Sequence, residues 1–171
     1  MTLPDAEKLC GELLRQLKGR FGPETGLIGI ATGGAWLAER LHRELGLAQP
    51  MGVLDVSFYR DDFDQKGLKP QVKPSRVPFD VQGREILLVD DVLYTGRTVR
   101  AAMNELFDYG RPSKIELAVL CDRGGRELPV AAQYVGASVS VPAGSILVLD
   151  RQPSGALSLR LSDHRRERPQ A

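Results

Sequence analysis

The sequence predicts an α/β fold in which a mainly parallel central sheet is flanked by helices. Short apolar runs recur at 27–31, 85–90 and 114–121, and each has the length of a buried strand. Stretches with apolar residues at helical spacing separate these runs. Because strands that alternate with helices favour right-handed crossovers, the three runs are expected to lie parallel in one sheet.

The helices are predicted from leucine spacing and from residues that start or stop a helix. In residues 5–20, leucines recur every fourth position from Leu9, and Asp5 can cap the helix N-terminus. A second helix is predicted over 35–46 with Gly46 as its stop, and a third over 98–110. Further strands are predicted at 52–59, 146–150 and 156–161.

A long loop or flap is predicted over residues 60–83, which contain three prolines, five basic and four acidic residues without a usable period. Loops of this length inside a compact domain are usually functional or disordered. The chain length fits one domain, which we place at 1–163. The charged tail at 164–171 has no apolar anchor and is predicted to be disordered.

Composition limits the classes of function. The 23 basic and 22 acidic residues leave a net charge of +1, so nucleic acid binding would need a local basic patch. The two cysteines, Cys10 and Cys121, lie in apolar patterns and are predicted to be reduced core thiols. With no apolar stretch of membrane-spanning length and no secretory leader pattern, we expect an unprocessed cytoplasmic protein without membrane partners.

The most informative stretch is ILLVDDVLYTGRT, which places two adjacent carboxylates, Asp90 and Asp91, between an apolar run and a Thr-Gly turn. Ligands of parallel sheets bind at the carboxyl ends of the strands, and a helix N-terminus after the turn favours an anion. Backbone amides and hydroxyls of residues 94–98 suit a phosphate monoester, while two carboxylates suit sugar hydroxyls. The stretch therefore predicts a ribose 5-phosphate site, with a simple helix N-cap and an ordinary turn as alternatives.

The same stretch resembles the phosphoribosyl diphosphate (PRPP) motif of type I phosphoribosyltransferases. Together with DVSFYRDDF and DRGGRELP, it looks like the PyrR family, whose members are described as uracil phosphoribosyltransferases that can also regulate pyrimidine genes by binding mRNA. The resemblance is strong from about residue 27 to 135. It implies the type I phosphoribosyltransferase fold with a small hood and a long flexible flap, the ligands PRPP, uracil and UMP, and a homodimer or homotetramer.

The resemblance also implies roles for individual residues. Asp90, Asp91 and Arg60 would be catalytic, with Arg60 clamping pyrophosphate when the flap closes. The pyrophosphate group of PRPP would be bound by a loop of three residues, Thr32, Gly33 and Gly34. The PRPP phosphate would be bound by Val92, Leu93, Tyr94, Thr95, Gly96, Arg97 and Thr98. Asp122 and Arg123 would lie on the uracil side, and Mg²⁺ would be held through the substrate, with the acid pair reached through water.

Each of these assignments has a plainer alternative. The glycine pair at 33–34 can be ordinary strand-to-helix turn chemistry, and Arg60 can be an exposed side chain paired with Asp61 or Asp62. The segment 122–129 can be a charged surface loop.

Three departures from the family pattern count against mRNA binding. Gly125 stands where RNA-regulating relatives typically carry His, the pyrophosphate loop reads Thr-Gly-Gly instead of Thr-Arg-Gly, and the first helix lacks their Thr-Arg and His pattern. Each departure removes a donor or a positive charge. Three hypotheses stay open: a uracil phosphoribosyltransferase, an RNA-binding regulator with a sensory nucleotide site, and a phosphoribosyltransferase for another base. The regulator would need a basic patch from Arg15, Lys18, Arg20, Arg97 and Arg100.

Overall fold

A computed structural model of the chain describes residues 2–57 and 75–163. The predicted catalytic Arg60, most of the predicted flap and the predicted tail at 164–171 lie outside the described residues. Within the described part, no helix combines the length and the apolar character needed to cross a membrane.

The predicted α/β fold is confirmed. The helices are α1 (Ala6–Leu17), α2 (Gly33–Leu45) and α3 (Arg97–Asp108). The strands are β1 (Gly26–Ile30), β2 (Gly52–Leu54), β3 (Glu85–Leu93), β4 (Lys114–Asp122), β5 (Tyr134–Ser138), β6 (Ser145–Arg151) and β7 (Leu157–Asp163). Strands β1 to β5 form one parallel sheet in the order β2-β1-β3-β4-β5, and β6 pairs with β7 as an antiparallel hairpin.

The helix ends follow the predicted capping residues. The Asp5 carboxylate accepts hydrogen bonds from the backbone N–H groups of Glu7 and Lys8 and so starts α1. Gly46 adopts the left-handed conformation that ends α2. The first helix stops at Leu17, three residues earlier than predicted, because the chain turns at Gly19 with a φ of 74°.

The core has two layers, one on each face of the parallel sheet. On β3, Leu87 and Val89 pack with α1 and α2, whereas Ile86 and Leu88 point to the opposite face and pack with α3. This alternation is the two-residue period of a strand that is buried on both faces. The sheet is therefore fixed between helices, and its carboxyl edge is held in place for a site.

The structure corrects three strand predictions. Strand β2 ends at Leu54, inside the predicted stretch, whose residues 58–59 are not described, and β3 extends to Leu93. Strand β5 (Tyr134–Ser138) was not predicted, because it is a sheet edge with little full burial and shows no continuous apolar run. At Gly136 a Cβ would lie 2.5 Å from the carbonyl oxygen of Leu120, so the close pairing of β5 with β4 favours glycine there.

The small hood stays a prediction. After β5, the chain forms the hairpin of β6 and β7. Its buried residues Leu147, Leu149 and Leu157 pack on the same side of the sheet as α1 and α2. Glu7 accepts a 2.7 Å hydrogen bond from the Leu157 backbone N–H and pairs with Arg40 at 2.6 Å. Because Glu7 is in α1 and Arg40 in α2, this network joins the hairpin to both helices.

Candidate functional site

The carboxyl edge of the sheet brings the predicted site segments together. Strands β1, β3 and β4 are neighbours in the sheet and run parallel, so their carboxyl ends meet at the same edge. The predicted pyrophosphate loop at residues 32–34, here called the glycine loop, follows β1. The Thr-Gly turn follows β3, and the 122–129 segment begins at the end of β4. The arrangement agrees with the general position of ligands in parallel α/β sheets.

The acid pair lies inside β3 and is followed by the last two residues of the strand. Asp90 is buried with 3% of its surface exposed, and Asp91 is half-buried. Oδ1 of Asp90 accepts a 2.9 Å hydrogen bond from the Asp91 N–H, and Oδ1 of Asp91 accepts a 2.9 Å bond from the Val92 N–H. These bonds fix the orientation of both carboxylates relative to the backbone.

The glycine loop packs directly on this acid pair. A Cβ at Gly33 would overlap the Asp91 carboxylate, with 2.7 Å to its Cγ. A Cβ at Gly34 would lie 2.6 Å from the Val89 carbonyl oxygen and 2.9 Å from the Asp90 Cα. Thr32, the third predicted loop residue, is exposed at the start of α2, and its peptide bond with Ala31 is cis. The two motifs, some sixty residues apart in the sequence, therefore form one site.

The Thr-Gly turn is a short loop before α3, and two of its features fix its shape. Gly96 has a φ of 92°, a conformation that favours glycine, and it caps α3 without a side-chain hydrogen bond. Thr95 is buried, and its Oγ1 accepts a 3.2 Å hydrogen bond from the Arg97 N–H. The first turn of α3, like that of α2, contains no acidic residue. Both helix N-termini are thus suited to an anion.

Two residues of the predicted phosphate-binding segment are not in this loop. Val92 and Leu93 belong to β3 and pair with Cys121 and Asp122 of β4. The Leu93 side chain is buried in the core layer beneath α3, and Val92 packs on the opposite face. The loop therefore begins at Tyr94, and phosphate binding by residues 92–98 stays a prediction.

The predicted uracil-side residues lie at the end of β4, next to the turn. Burial acts to raise the pKa of the Asp122 carboxyl, but hydrogen bonds from Arg126 and from the Gly124 amide outweigh it, so this pKa lies below its usual range. The guanidinium of Arg123 stacks on the Tyr94 ring, with 4.0 Å from Cζ to the ring centroid. Asp122 is thus engaged within its own segment, while Arg123 reaches across to the Thr-Gly turn.

Sequence reasoning missed the residues that hold this segment against the turn. Arg126 donates to the Tyr94 carbonyl at 2.7 Å and to the Val130 carbonyl at 3.0 Å. Glu127 pairs with Arg97 at 2.9 Å, and its N–H donates to the Thr95 carbonyl at 2.9 Å. Arg126 also forms an ion pair with Asp122, and the separation of four residues between them is visible in the sequence. The contacts with the turn could not be read from the sequence.

The described residues contain no group of three or more histidine, cysteine or carboxylate side chains placed to bind a metal ion. His42 lies in α2, and its Nε2 is 2.6 Å from the Gln49 carbonyl oxygen. Both cysteines are free and buried, as predicted, and burial raises the pKa of Cys10 to about 11 and that of Cys121 to about 12. None of these side chains is placed as a reactive group.

Comparison with known proteins defines the class. The phosphoribosyl transferase domain, as a family, matches residues 2–144 of the chain. A crystal structure of a purine phosphoribosyltransferase from Pyrococcus horikoshii superposes with a TM-score of 0.60 at 28% identity, covering 78% of this chain and 82% of that one. A hypoxanthine-guanine phosphoribosyltransferase from Bacillus anthracis gives a TM-score of 0.64 at 21% identity, covering 81% of each chain, and supports the fold. The chain therefore belongs to the phosphoribosyl transferase domain family, and its fold is that of a phosphoribosyltransferase.

Sequence relatives define the branch. The Bifunctional protein PyrR of Ralstonia nicotianae is 51% identical over 156 residues, which are 89% of this chain and 89% of that protein. The protein of the same name from Pseudomonas aeruginosa is 51% identical over 146 residues, or 82% of this chain and 85% of that protein. The chain therefore belongs to the PyrR proteins of the phosphoribosyl transferase domain family.

Proposed function

We propose that the chain transfers the 5-phosphoribosyl group of PRPP to uracil and so forms UMP and pyrophosphate. One observation supports this most strongly: Gly33 and Gly34 pack on Asp90 and Asp91 so closely that a Cβ at either glycine would overlap them. A pyrophosphate loop and a ribose-binding acid pair have to be adjacent, because PRPP joins both groups at C1 of the ribose. Membership of the PyrR proteins supports uracil as the acceptor.

The reaction breaks the bond between C1 and the pyrophosphate oxygen, which leaves with the bonding electrons, and forms a bond from uracil N1 to C1 with release of the N1 proton. Positive charge develops on the ribose in the transition state. Asp90 and Asp91 accept hydrogen bonds from the ribose hydroxyls, and residues 94–98 hold the 5-phosphate at the start of α3. The backbone amides of the glycine loop stabilise the leaving pyrophosphate.

Mg²⁺ fits this site as an ion held mainly by the substrate. The described residues offer the two neighbouring carboxylates of the acid pair and no larger metal-binding group. Mg²⁺ usually keeps several waters and combines one or two carboxylates with substrate phosphates. When bound, it neutralises charge on the leaving pyrophosphate. Asp90 and Asp91 would reach it through water.

Two further roles belong to this proposal. Arg60, which lies outside the described residues, would clamp pyrophosphate when the flap closes, and closure would exclude the water that competes with uracil. Asp122 and Arg123 would lie beside the base, since β4 ends next to the Thr-Gly turn.

A panel of acceptors tests the proposed reaction. The chain is incubated with PRPP and Mg²⁺ and with uracil, hypoxanthine, guanine or orotate, and nucleoside monophosphates are separated by chromatography. We expect UMP from uracil and no product from the other bases. A purine nucleotide as the main product would instead assign the chain to another base and refute the uracil proposal.

Binding of mRNA is a second candidate function, because the resemblance to the PyrR family implies it and the name of the relatives describes them as bifunctional. The five basic residues predicted for an RNA patch do not form one surface. Three lie on or just after α1 and two on α3, and these helices pack on opposite faces of the sheet. Arg15 is also paired with Glu12 at 2.6 Å. An RNA interface of this chain would therefore use a different set of residues.

Salt dependence tests this second function. Phosphate contacts release counterions, so genuine RNA binding should weaken steeply between about 50 and 200 mM salt. Fluorescence anisotropy with a labelled RNA hairpin measures the affinity in the presence and absence of UMP. No binding at low salt would remove mRNA from the functions of this chain.

The predicted homodimer or homotetramer also stays a proposal. Light scattering coupled to size-exclusion chromatography gives the mass of the assembly, for comparison with 18.8 kDa for one chain. A mass of one chain at micromolar concentration would refute it.

A further inference from the structure

Tyr94 lies at the carboxyl edge of the sheet, between β3 and the Thr-Gly turn. Its side chain is exposed, with 44% of its surface accessible. The guanidinium of Arg123 lies 4.0 Å from the ring centroid. This is a close cation–π contact, with the positive charge of Arg123 over the ring. Tyr94 and Arg123 thus form a pair that bridges the ends of β3 and β4.

Gly125 provides the space for this pair. A Cβ at Gly125 would lie 2.5 Å from Cε2 and 3.0 Å from Cδ2 of Tyr94, and the residue has a φ of 77°. A side chain at position 125 would therefore push the ring away from Arg123. The neighbouring Gly124 has a similar φ of 70° but no atom within 4 Å of its would-be Cβ.

Arg123 retains hydrogen-bonding capacity in this position. Its Nη1 donates to the Ser145 carbonyl of the hairpin at 3.2 Å, and its Nε is buried without a hydrogen-bond partner among the described residues. A guanidinium has five N–H donors and no acceptor. The hydrogen bond to Ser145 uses one of these donors, so the guanidinium keeps N–H groups for an acceptor that binds at the carboxyl edge.

We propose that Tyr94 is a positioning residue that holds Arg123 so that its guanidinium donates to a carbonyl oxygen of the pyrimidine base. The proposal rests on the proposed uracil phosphoribosyltransferase function and adds a determinant of base choice. Because Arg123 can only donate, it favours the carbonyl edge of uracil and disfavours an exocyclic amine, as in cytosine, at the same point. Gly125 contributes by leaving room for the ring.

Steady-state kinetics of Tyr94→Leu and Tyr94→Phe test the proposal, since leucine keeps apolar bulk and phenylalanine keeps the aromatic face. For Tyr94→Leu we expect the KM for uracil to rise about tenfold, while the KM for PRPP stays within about twofold because the variant keeps the backbone amide at position 94. Tyr94→Phe should restore most of the uracil affinity. Tyr109→Leu is the matched control, because Tyr109 is 41% exposed at the end of α3 and should leave both constants unchanged.

The outcomes separate this inference from the function on which it rests. Wild-type chain that forms no UMP would overturn the proposed function and the inference with it. Wild-type turnover combined with an unchanged uracil KM in Tyr94→Leu would overturn the inference alone. An equal rise of both KM values would also overturn it, because it would show general damage to the phosphate turn.

Discussion

The packing of α2 on β3 gives a prediction that the structure makes quantitative. A Cβ at Gly34 would lie 2.6 Å from the Val89 carbonyl oxygen, whereas ordinary contact begins at 3.4 Å. The two nearest atoms, the Val89 carbonyl oxygen and the Asp90 Cα, both belong to the backbone and cannot rotate away. In Gly34→Ala the first turn of α2 must therefore withdraw by about 0.8 Å, the difference between the two distances. Overpacking of this kind costs about 1–3 kcal/mol of the free energy of unfolding.

For a chain of this size, a loss of about 2 kcal/mol lowers Tm by about 4–8 °C. The same displacement moves the glycine loop, and a misplacement of about 1 Å can lower the rate of the catalysed reaction about 100-fold. Thermal unfolding followed by circular dichroism gives the first quantity, and calorimetric titration with PRPP and Mg²⁺ gives the effect on binding. We expect Gly34→Ala to lose both stability and PRPP affinity.

Two other alanine variants sharpen this test. Gly33→Ala would collide with the Asp91 carboxylate, which can turn away only by giving up its hydrogen bond from the Val92 N–H, so we expect weakened PRPP binding with a smaller loss of Tm than in Gly34→Ala. Gly11→Ala is the control, because Gly11 is exposed in α1 with nothing within 4 Å, and alanine should stabilise the helix by up to about 1 kcal/mol. Wild-type Tm and PRPP affinity in both Gly33→Ala and Gly34→Ala would refute the contact between the loop and the acid pair.

Three further predictions concern the acid pair, Gly125 and the thiols. The double variant with Asp90→Asn and Asp91→Asn should keep its fold by circular dichroism but lose at least about 100-fold in kcat/KM, since each charged acceptor is worth about 1.5–3 kcal/mol; unchanged turnover would overturn the ribose assignment. Gly125→Ala should raise the KM for uracil more than Gly124→Ala, because both strain the backbone but only the first displaces Tyr94; equal effects would contradict the role of Gly125. The folded-state pKa values of Cys10 and Cys121, about 11 and about 12, exceed the ordinary 9.0, so the unfolded chain loses these protons first and stability should fall as pH rises from 9 towards 12. A Cys10→Ala, Cys121→Ala double variant should show a shallower decline of Tm over this range, and an equal slope would refute the assignment.

The sequence predicted the parts of the site that depend on local pattern. The acid pair and the Thr-Gly turn sit at the end of an apolar strand, and the glycine loop sits at the end of another, so the rule for parallel sheets was enough to bring them together. The capping of α1 by Asp5 was likewise visible, because capping depends on a few adjacent residues.

The remaining features depend on tertiary contacts. Strand β5 owes its position to pairing with β4 and not to an apolar run of its own. The contact of Arg123 with Tyr94 joins residues 29 positions apart, and Arg126 reaches the Tyr94 carbonyl across 32 positions. The division of residues 92–98 into strand, loop and helix was also hidden, because Val92 and Leu93 belong to β3 through their pairing with Cys121 and Asp122 of β4.

We propose that the acid pair and the glycine loop catalyse transfer and do not only bind a nucleotide. The most direct test is the initial rate of pyrophosphate release from PRPP and Mg²⁺, measured with and without uracil. We predict release that depends on uracil and matches UMP formation mole for mole. Tight PRPP binding with no release of pyrophosphate when uracil is added would contradict the claim and assign the site to ligand sensing.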